Sequence, residues 1–420
     1  MNSKKVIVIG SGPAGLSAAL ALAEQGVRPL ILERLDRPAL KLLGSGGGRC
    51  NFSNALEPED FMRKFGRNGA FMRDALRSAP REWLLDFLES RNVRAVLTDS
   101  FFYFPASGRA RDVFDAFASA SDAEIRTGAE VTGIRVENGA VRGVELPGGF
   151  LPAESVVLAC GGCAWAGLGT SKGLELARKT GHTLRPPLPA VAPLLIEEKW
   201  VGSLAGVTLE NAALTLRSGR NTLRTEGSLL FTHDGLSGFP AMDLAGEVSA
   251  LCLETGTAPL SLSVKASMDK AAWTQEFERR RKENGAKGIR SLLARHLPHS
   301  LADILCETGG CADAKASTLS ASARERLTEM LCGVKLTATG AGPMEKAMAM
   351  RGGVSLKEVR PDTLESRIVR GLFFAGEVLD LVGPCGGYNI QWAFSSGRLA
   401  GTSAARNSYR EQPIIRNGLE

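Results

Sequence analysis

The chain runs to 420 residues, 44% of them hydrophobic and 23% charged, with a formal net charge of +6. That length exceeds one ordinary core and calls for two or three domains, and that composition excludes a chain that stays disordered. No apolar stretch approaches the ~18 residues of a membrane span. Lys and Arg are scattered rather than gathered into a nucleic-acid stripe, apart from Glu278-Arg279-Arg280-Arg281-Lys282, which reads as a solvated helix face.

Residues 6–9, Val-Ile-Val-Ile, read as a short buried strand, too short and too abruptly ended by glycine to be the core of an export leader. Eight cysteines at no framework spacing read as free thiols in a reducing cytoplasm. Residues 16–25 form an Ala- and Leu-rich helix pattern closed by Gly26, and Leu30-Ile31-Leu32 is a second strand. A β-α-β unit within about 30 residues points to a parallel sheet. Residues 72–90 read as a helix with Trp83, Leu84, Phe87 and Leu88 on one face, and 109–121 as another. Strand-like segments follow around Ile125, at 131–136 and at 141–146, with Asn138-Gly139 and Gly148-Gly149 as turn signals. Val156-Val157-Leu158-Ala159 is a buried strand ending at Gly161-Gly162, ahead of a helix near 173–180.

Pro186, Pro187, Pro189 and Pro193 mark a boundary. Alternation between 194 and 233 suggests a β-rich insert, and 268–332 reads as mainly helical and polar. Leu372-Phe373-Phe374-Ala375 is again a strand, followed by a glycine loop and a helix. The pattern predicts an α/β, Rossmann-type nucleotide-binding domain made of both ends of the chain and interrupted by an insert.

Gly10-Ser11-Gly12-Pro13-Ala14-Gly15 is G-x-G-x-x-G between the first strand and the first helix. Gly10 permits the tight turn, Gly12 lets the backbone approach a pyrophosphate, and Gly15 lets helix pack on strand. The helix N-terminus offers unpaired N–H groups and a partial positive charge to the phosphates. Glu33, 18 residues beyond Gly15 at the end of the second strand, suits a ribose diol. This motif alone does not separate FAD from NAD.

Two further segments argue for FAD. Lys41-Leu42-Leu43-Gly44-Ser45-Gly46-Gly47-Gly48-Arg49-Cys50-Asn51 can run close against a ligand, reaching from the pyrophosphate toward the far end of the cofactor. Phe374-Ala375-Gly376-Glu377-Val378-Leu379-Asp380 ends a strand with acids that can hold ribityl hydroxyls. Gly386-Gly387-Tyr388-Asn389-Ile390 then opens a helix whose N–H groups can face the pyrimidine edge of a flavin.

These blocks, with Leu230-Phe231-Thr232-His233-Asp234-Gly235-Leu236-Ser237-Gly238, Arg351-Gly352-Gly353-Val354 and residues 375–397, resemble the BaiN/YhiN-like bacterial three-domain FAD-dependent oxidoreductases. That family includes aminoacetone oxidase and a bile-acid ring reductase. The resemblance covers nearly the whole chain. It implies a glutathione-reductase-like FAD-binding domain from 1–193 and 354–420, a β-rich substrate domain from 194–250 and 333–353, and a small helical bridging domain from 251–332. It implies FAD contacts at Gly10, Gly12, Pro13, Ala14, Gly15, Glu33, Arg34, Lys41, Gly46, Gly48, Arg49, Cys50 and Asn51. Further contacts are implied at Val131 (by its backbone, to adenine), Ala159, Gly161, Gly162, Gly376, Glu377, Asp380, Gly386, Gly387, Tyr388, Asn389 and Ile390. The chain departs from the family pattern at Cys160 and Cys385, where threonine is expected, at Phe239, which is added before the proline, and at 169–173, which lacks an acid.

Two cysteine pairs invite other readings. Cys160-Gly161-Gly162-Cys163 is a C-x-x-C on a glycine loop, with no second pair at metal spacing. Cys306 and Cys311 have the C-x4-C spacing of flavin disulfide reductases but lie deep in the insert. His182 reads as a turn residue, and His296 and His299 show no ligand spacing. No residue stands out as the catalytic acid or base; Tyr388 and His233 are the candidates. The chemistry expected is hydride transfer between a small organic molecule and flavin. No second G-x-G-x-x-G marks a nicotinamide domain, so NADH or NADPH would visit transiently as electron donor or not be used. The alternatives are a small-amine oxidase that passes electrons to oxygen, and a flavin-containing RNA-modifying or RNA-binding protein.

Overall fold

The computed structural model describes residues 6–219 and 221–409, and the chain divides into two compact units. The first takes residues 1–187 and 349–420; the second takes 188–348. The crossing at Pro187 and Leu188 falls within the proline-rich stretch.

The first unit is built on a five-stranded parallel sheet. Its order is Leu372–Phe374, Ser155–Leu158, Val6–Ile9, Leu30–Leu32 and Glu124–Arg126. The central strands are apolar on both faces and buried on both faces, as parallel strands covered by helices must be. Both ends of the chain contribute, as the sequence predicts. Helix Pro13–Glu24 packs on the final helix, Tyr388–Tyr409, along Ala14, Ala18, Gly397 and Gly401. Ser17 Oγ donates to the Phe394 carbonyl across the same seam at 2.7 Å.

The helix expected over 72–90 is two helices, Arg73–Ser78 and Arg81–Ser90. Pro80 disfavours the helical conformation at Ala79, which takes φ −144° and ψ 76°. Leu84 and Leu88 are fully buried, as the pattern requires. Two small antiparallel sheets complete the unit, one of Gly133–Glu137, Ala140–Leu146 and Gly149–Pro152, the other of Ser53–Asn54, Phe102–Pro105 and Ala95–Thr98.

His182 is not the turn residue the sequence suggests. It is buried, 2.7 Å from Ser366 Oγ through Nε2, with its ring edge-on to Phe374. Burial holds its pKa below the usual 6.5, outweighing the Ala177 carbonyl and the Glu358 charge that raise it. A histidine depressed in the folded state contributes stability that is present above about pH 6.5 and lost as pH falls through its folded value. Acid titration of the wild type is therefore expected to lower the denaturant midpoint more steeply below pH 6.5 than titration of His182→Gln. Parallel pH curves would refute this.

The second unit holds a closed six-stranded antiparallel barrel. Its order is Leu194–Ile196, Gly235–Gly238, Asn221–Thr232, Thr208–Ser218, Ala258–Ser263 and Val334–Ala341. Closure removes the free edges that a six-stranded sheet would otherwise expose. Helix Phe239–Thr255 packs against all six strands through Leu244, Ala245 and Val248. Ala258–Ser263 precedes the 268–332 helical pattern but falls inside the 251–332 bounds implied for the helical bridging domain, and it is a barrel strand. The remainder of that stretch folds as helices Lys270–Asn284, Ile289–Leu293, His299–Thr308 and Ala321–Cys332.

The basic cluster is only partly a solvated face. Arg279 and Arg281 pair along the helix with Glu276, Glu283 and Glu278, whereas Arg280 turns inward and is buried against Glu276. No helix among the described residues is long and apolar enough to cross a membrane.

Candidate functional site

The G-x-G-x-x-G turn joins the first strand to the first helix, as its spacing predicts. Gly10 takes φ +102°. A Cβ on Gly15 would lie 1.9 Å from the Gly10 carbonyl oxygen, so only glycine lets the helix start this close to the turn. Gly12 is the N-cap residue and supplies no side-chain cap, and Pro13 follows in the first turn. The N–H groups of that turn are thus left for an external anion.

Glu33 ends the second strand with its carboxylate turned back on this turn. Oε2 accepts from the Ser11 N–H at 3.0 Å and from Ser11 Oγ at 2.6 Å, and Oε1 accepts from the Leu35 N–H at 2.9 Å. A carboxylate has about four acceptor positions, so the three bonds fix Glu33 and leave room for a ribose hydroxyl. Ser11 occupies a position that the motif leaves unspecified, so sequence alone does not mark it.

The second loop forms a left-handed turn, with Gly46, Gly47 and Gly48 at φ +56°, +67° and +87°, and Cys50 also in that region at +61°. Arg49 lies over the Phe104 ring, 4.9 Å from its centroid, with Nε donating to the Gly46 carbonyl. Cys50 is fully buried, and burial pushes its thiol up to about 12, which disfavours the reactive thiolate. The Asn51 amide, oriented by its surroundings, donates to the Ser53 and Tyr103 carbonyls. Burial also raises Cys160 to about 12 and raises Cys163, which speaks against an activated C-x-x-C.

The third loop closes the groove. Glu377 accepts from Lys41 Nζ at 3.2 Å, the Gly162 N–H at 3.1 Å and the Met350 N–H at 2.8 Å. Lys41, Gly162 and Glu377, three positions far apart in sequence, thus meet in one cluster. Arg34 reaches across to the Leu168 and Gly169 carbonyls, each at 3.1 Å. The Asn389 side chain folds back on its own loop, accepting from the Gly383 N–H and donating to the Gly383 carbonyl, so that only its backbone can face a ligand.

Tyr388 is buried against Phe61, Phe65 and Phe101. His233 is an exposed turn residue of the second unit. The two candidates for acid or base therefore fall on different units, and Tyr388 sits in an apolar nest.

Aromatic rings line the loops, which the sequence reading did not foresee. Phe102 packs so close to Gly386 that a Cβ there would come within 2.9 Å of the ring, and a Cβ on Gly44 would lie 3.1 Å from Trp165. The signal was present in Phe101-Phe102-Tyr103-Phe104, but such a run reads equally well as core.

The groove fits FAD on three counts: an uncapped helix N-terminus, a fixed carboxylate at the end of the second strand, and glycine loops walled by aromatics. Among the described residues no cluster of His, Cys, Asp and Glu could hold a metal ion.

The family model described as HI0933-like protein Rossmann domain matches residues 4–403. A 3-dehydro-bile acid delta(4,6)-reductase of Clostridium scindens is 30% identical over 410 residues, 96% of this chain and 99% of the relative. A ribosomal RNA dihydrouridine synthase of Escherichia coli K12 is 29% identical over 94% of this chain and 96% of its own. Among solved structures, a 3-ketosteroid delta1-dehydrogenase from Sterolibacterium denitrificans superposes with a TM-score of 0.53 at 12% identity, over 97% of this chain and 100% of that one. This last likeness is one of fold.

Proposed function

The chain belongs to the HI0933-like Rossmann family and is an FAD-dependent oxidoreductase, and from that premise we propose that it reduces a ring carbon–carbon double bond conjugated to a carbonyl, with NADH or NADPH as electron donor. The observation that carries this reading is the near-full-length match to two relatives whose names, different as their substrates are, describe one type of reaction. A 3-dehydro delta(4,6) bile acid is a conjugated ring ketone, and dihydrouridine is uridine with its carbonyl-conjugated ring double bond reduced. Bound FAD supplies hydride transfer.

The chain's own residues orient and shield. The helix beginning at Pro13 would hold the pyrophosphate, and Glu33 would hold the ribose. The Lys41–Glu377 pair, tied to the Gly162 and Met350 backbone, holds the third loop against the second. The N-terminus of helix Tyr388–Tyr409, preceded by Gly386 and Gly387, would hold the pyrimidine edge of a flavin, where its dipole would favour negative charge. Phe102, Phe104 and Trp165 exclude water and offer flat apolar surface to a cyclic substrate.

The test is anaerobic. NADH, then NADPH, is added to the purified flavoprotein, followed by a cyclic conjugated ketone. Bleaching of the flavin band by one nucleotide and its return on adding the ketone is the expected result. A second reading, in which the substrate is a uridine of ribosomal RNA, is favoured by the Escherichia coli relative; return of the band with rRNA alone, with dihydrouridine formed, would establish it. Flavin that ignores both nucleotides but bleaches with small amines would overturn the reductase reading in favour of an amine oxidase.

A further inference from the structure

The C-x4-C pair lies in the second unit, and the proposed reaction assigns it no role. Cys306 lies in the last turn of helix His299–Thr308, and Cys311 follows Gly309 and Gly310, the latter at φ +62°. The chain doubles back there. The Cys311 N–H donates to the Cys306 carbonyl and the Gly309 N–H to the Leu305 carbonyl, both at 2.9 Å. A backbone bond of that length keeps the two Cα atoms within the span of about 4.4–6.8 Å that a disulfide bridges. Both thiols are free and both are buried on this turn.

Each thiol acts on the other: the neighbour raises Cys306 and lowers Cys311 to about 7. Burial raises Cys252 and Cys332, as it does Cys50 and Cys160. Two free thiols held on one tight turn within bridging distance are the arrangement of a dithiol that can close to a disulfide.

We infer that Cys306 and Cys311 are a redox dithiol that a hydroperoxide closes to a disulfide. The Cys311 thiolate attacks the peroxide; an S–O bond forms, the O–O bond breaks, and the departing oxygen leaves protonated as water or an alcohol. Cys306 then attacks the sulfenic sulfur. The S–S bond forms, the S–O bond breaks, and hydroxide leaves as water with the Cys306 proton. Two thiols are oxidised and one peroxide is reduced, with no other reactant. The inference stands apart from the identity of the reduced substrate.

The full-length flavoprotein is titrated with hydrogen peroxide, unfolded in iodoacetamide and mapped by mass spectrometry. The peptide carrying both cysteines should lose two hydrogens and escape alkylation, while Cys50 and Cys160 remain alkylated. Cys306→Ser should stop at a Cys311 sulfenic acid trapped by dimedone, and Cys311→Ser should leave Cys306 reduced. The inference fails if peroxide leaves both positions alkylatable, or if Cys311→Ser oxidises at Cys306 as fast as wild type. Circular dichroism and flavin content matching wild type confirm that each variant is folded.

Discussion

Gly12→Val is expected to yield a folded, colourless protein. Most glycine substitutions in this turn confuse folding with binding: a Cβ at Gly15 would collide with the Gly10 carbonyl, and one at Gly10 would lie 2.5 Å from the Ala159 carbonyl oxygen. Gly12 is different. Its φ of −68° and ψ of −177° are open to any residue, and a Cβ there meets nothing within 4 Å. The space it would enter is the groove over the helix N-terminus, where a pyrophosphate must come into contact with backbone. Valine therefore costs the protein's own packing little and takes the volume the phosphates need. An affinity loss of about 100-fold or more, about 2.7 kcal/mol, is the expected scale. The comparison is with wild type stripped of flavin, because bound cofactor stabilises the folded state by mass action. The variant should match the stripped protein in circular dichroism and melting temperature, and Gly12→Ala should fall between. A Gly12→Val protein that purifies with stoichiometric flavin would mean that the pyrophosphate does not lie over this turn.

The parts of the molecule governed by local chemistry were legible in the sequence. The first strand, the glycine turn and the first helix are set by a buried apolar run, a backbone that only glycine can follow at Gly10, and a proline in the first turn. The return of the chain to the sheet at Leu372–Phe374 shows in the same way, since a short apolar run ending in glycine has few other uses. What the sequence hid was long-range. Nothing near Lys41 announces that its ammonium will meet Glu377, 336 positions later, and Gly162 between them. Strand Ala258–Ser263 alternates like any half-buried segment, and only closure of the barrel makes it pair with Thr208–Ser218 and Val334–Ala341. The burial of His182 depends on Ser366 and Phe374, which local pattern cannot supply.

Glu276→Gln is expected to be among the most destabilising single changes outside the cofactor groove. Helix Lys270–Asn284 reads as polar along its length, yet Glu276 and Arg280 have side chains only 9% and 10% exposed. Two charges so withdrawn from water persist only if every partner is in place. Here they are. Glu276 accepts from Arg279 at 2.6 Å, from Arg280 Nε at 3.1 Å and from His296 Nε2 at 3.0 Å. Lys265, which can only donate, meets His296 Nδ1 at 3.4 Å, so the ring proton sits on Nε2 and points at the carboxylate. Glutamine keeps the shape but removes the charge, leaving Arg280 buried beside a neutral amide with only the half-exposed Glu283, 3.7 Å away, as its remaining acid. Arg279 is half exposed and regains water, which places the loss at the lower end for a broken buried pair, about 3 kcal/mol. Burial raises the Glu276 carboxyl, but the bonds from His296, Arg279 and Arg280 outweigh it and bring the pKa from 4.5 to about 2. A depressed acid contributes stability that is complete above its unfolded value and lost as pH falls through the folded one. The gap between wild type and Glu276→Gln should therefore be full near pH 6 and shrink as pH drops from about 4.5 toward 2. Denaturant unfolding followed by far-ultraviolet circular dichroism reads this gap directly. A loss under about 0.5 kcal/mol, the scale of an ordinary surface substitution, or a gap that does not change with pH, would show that solvent already screens the cluster and that the helices around it are held by their apolar faces alone.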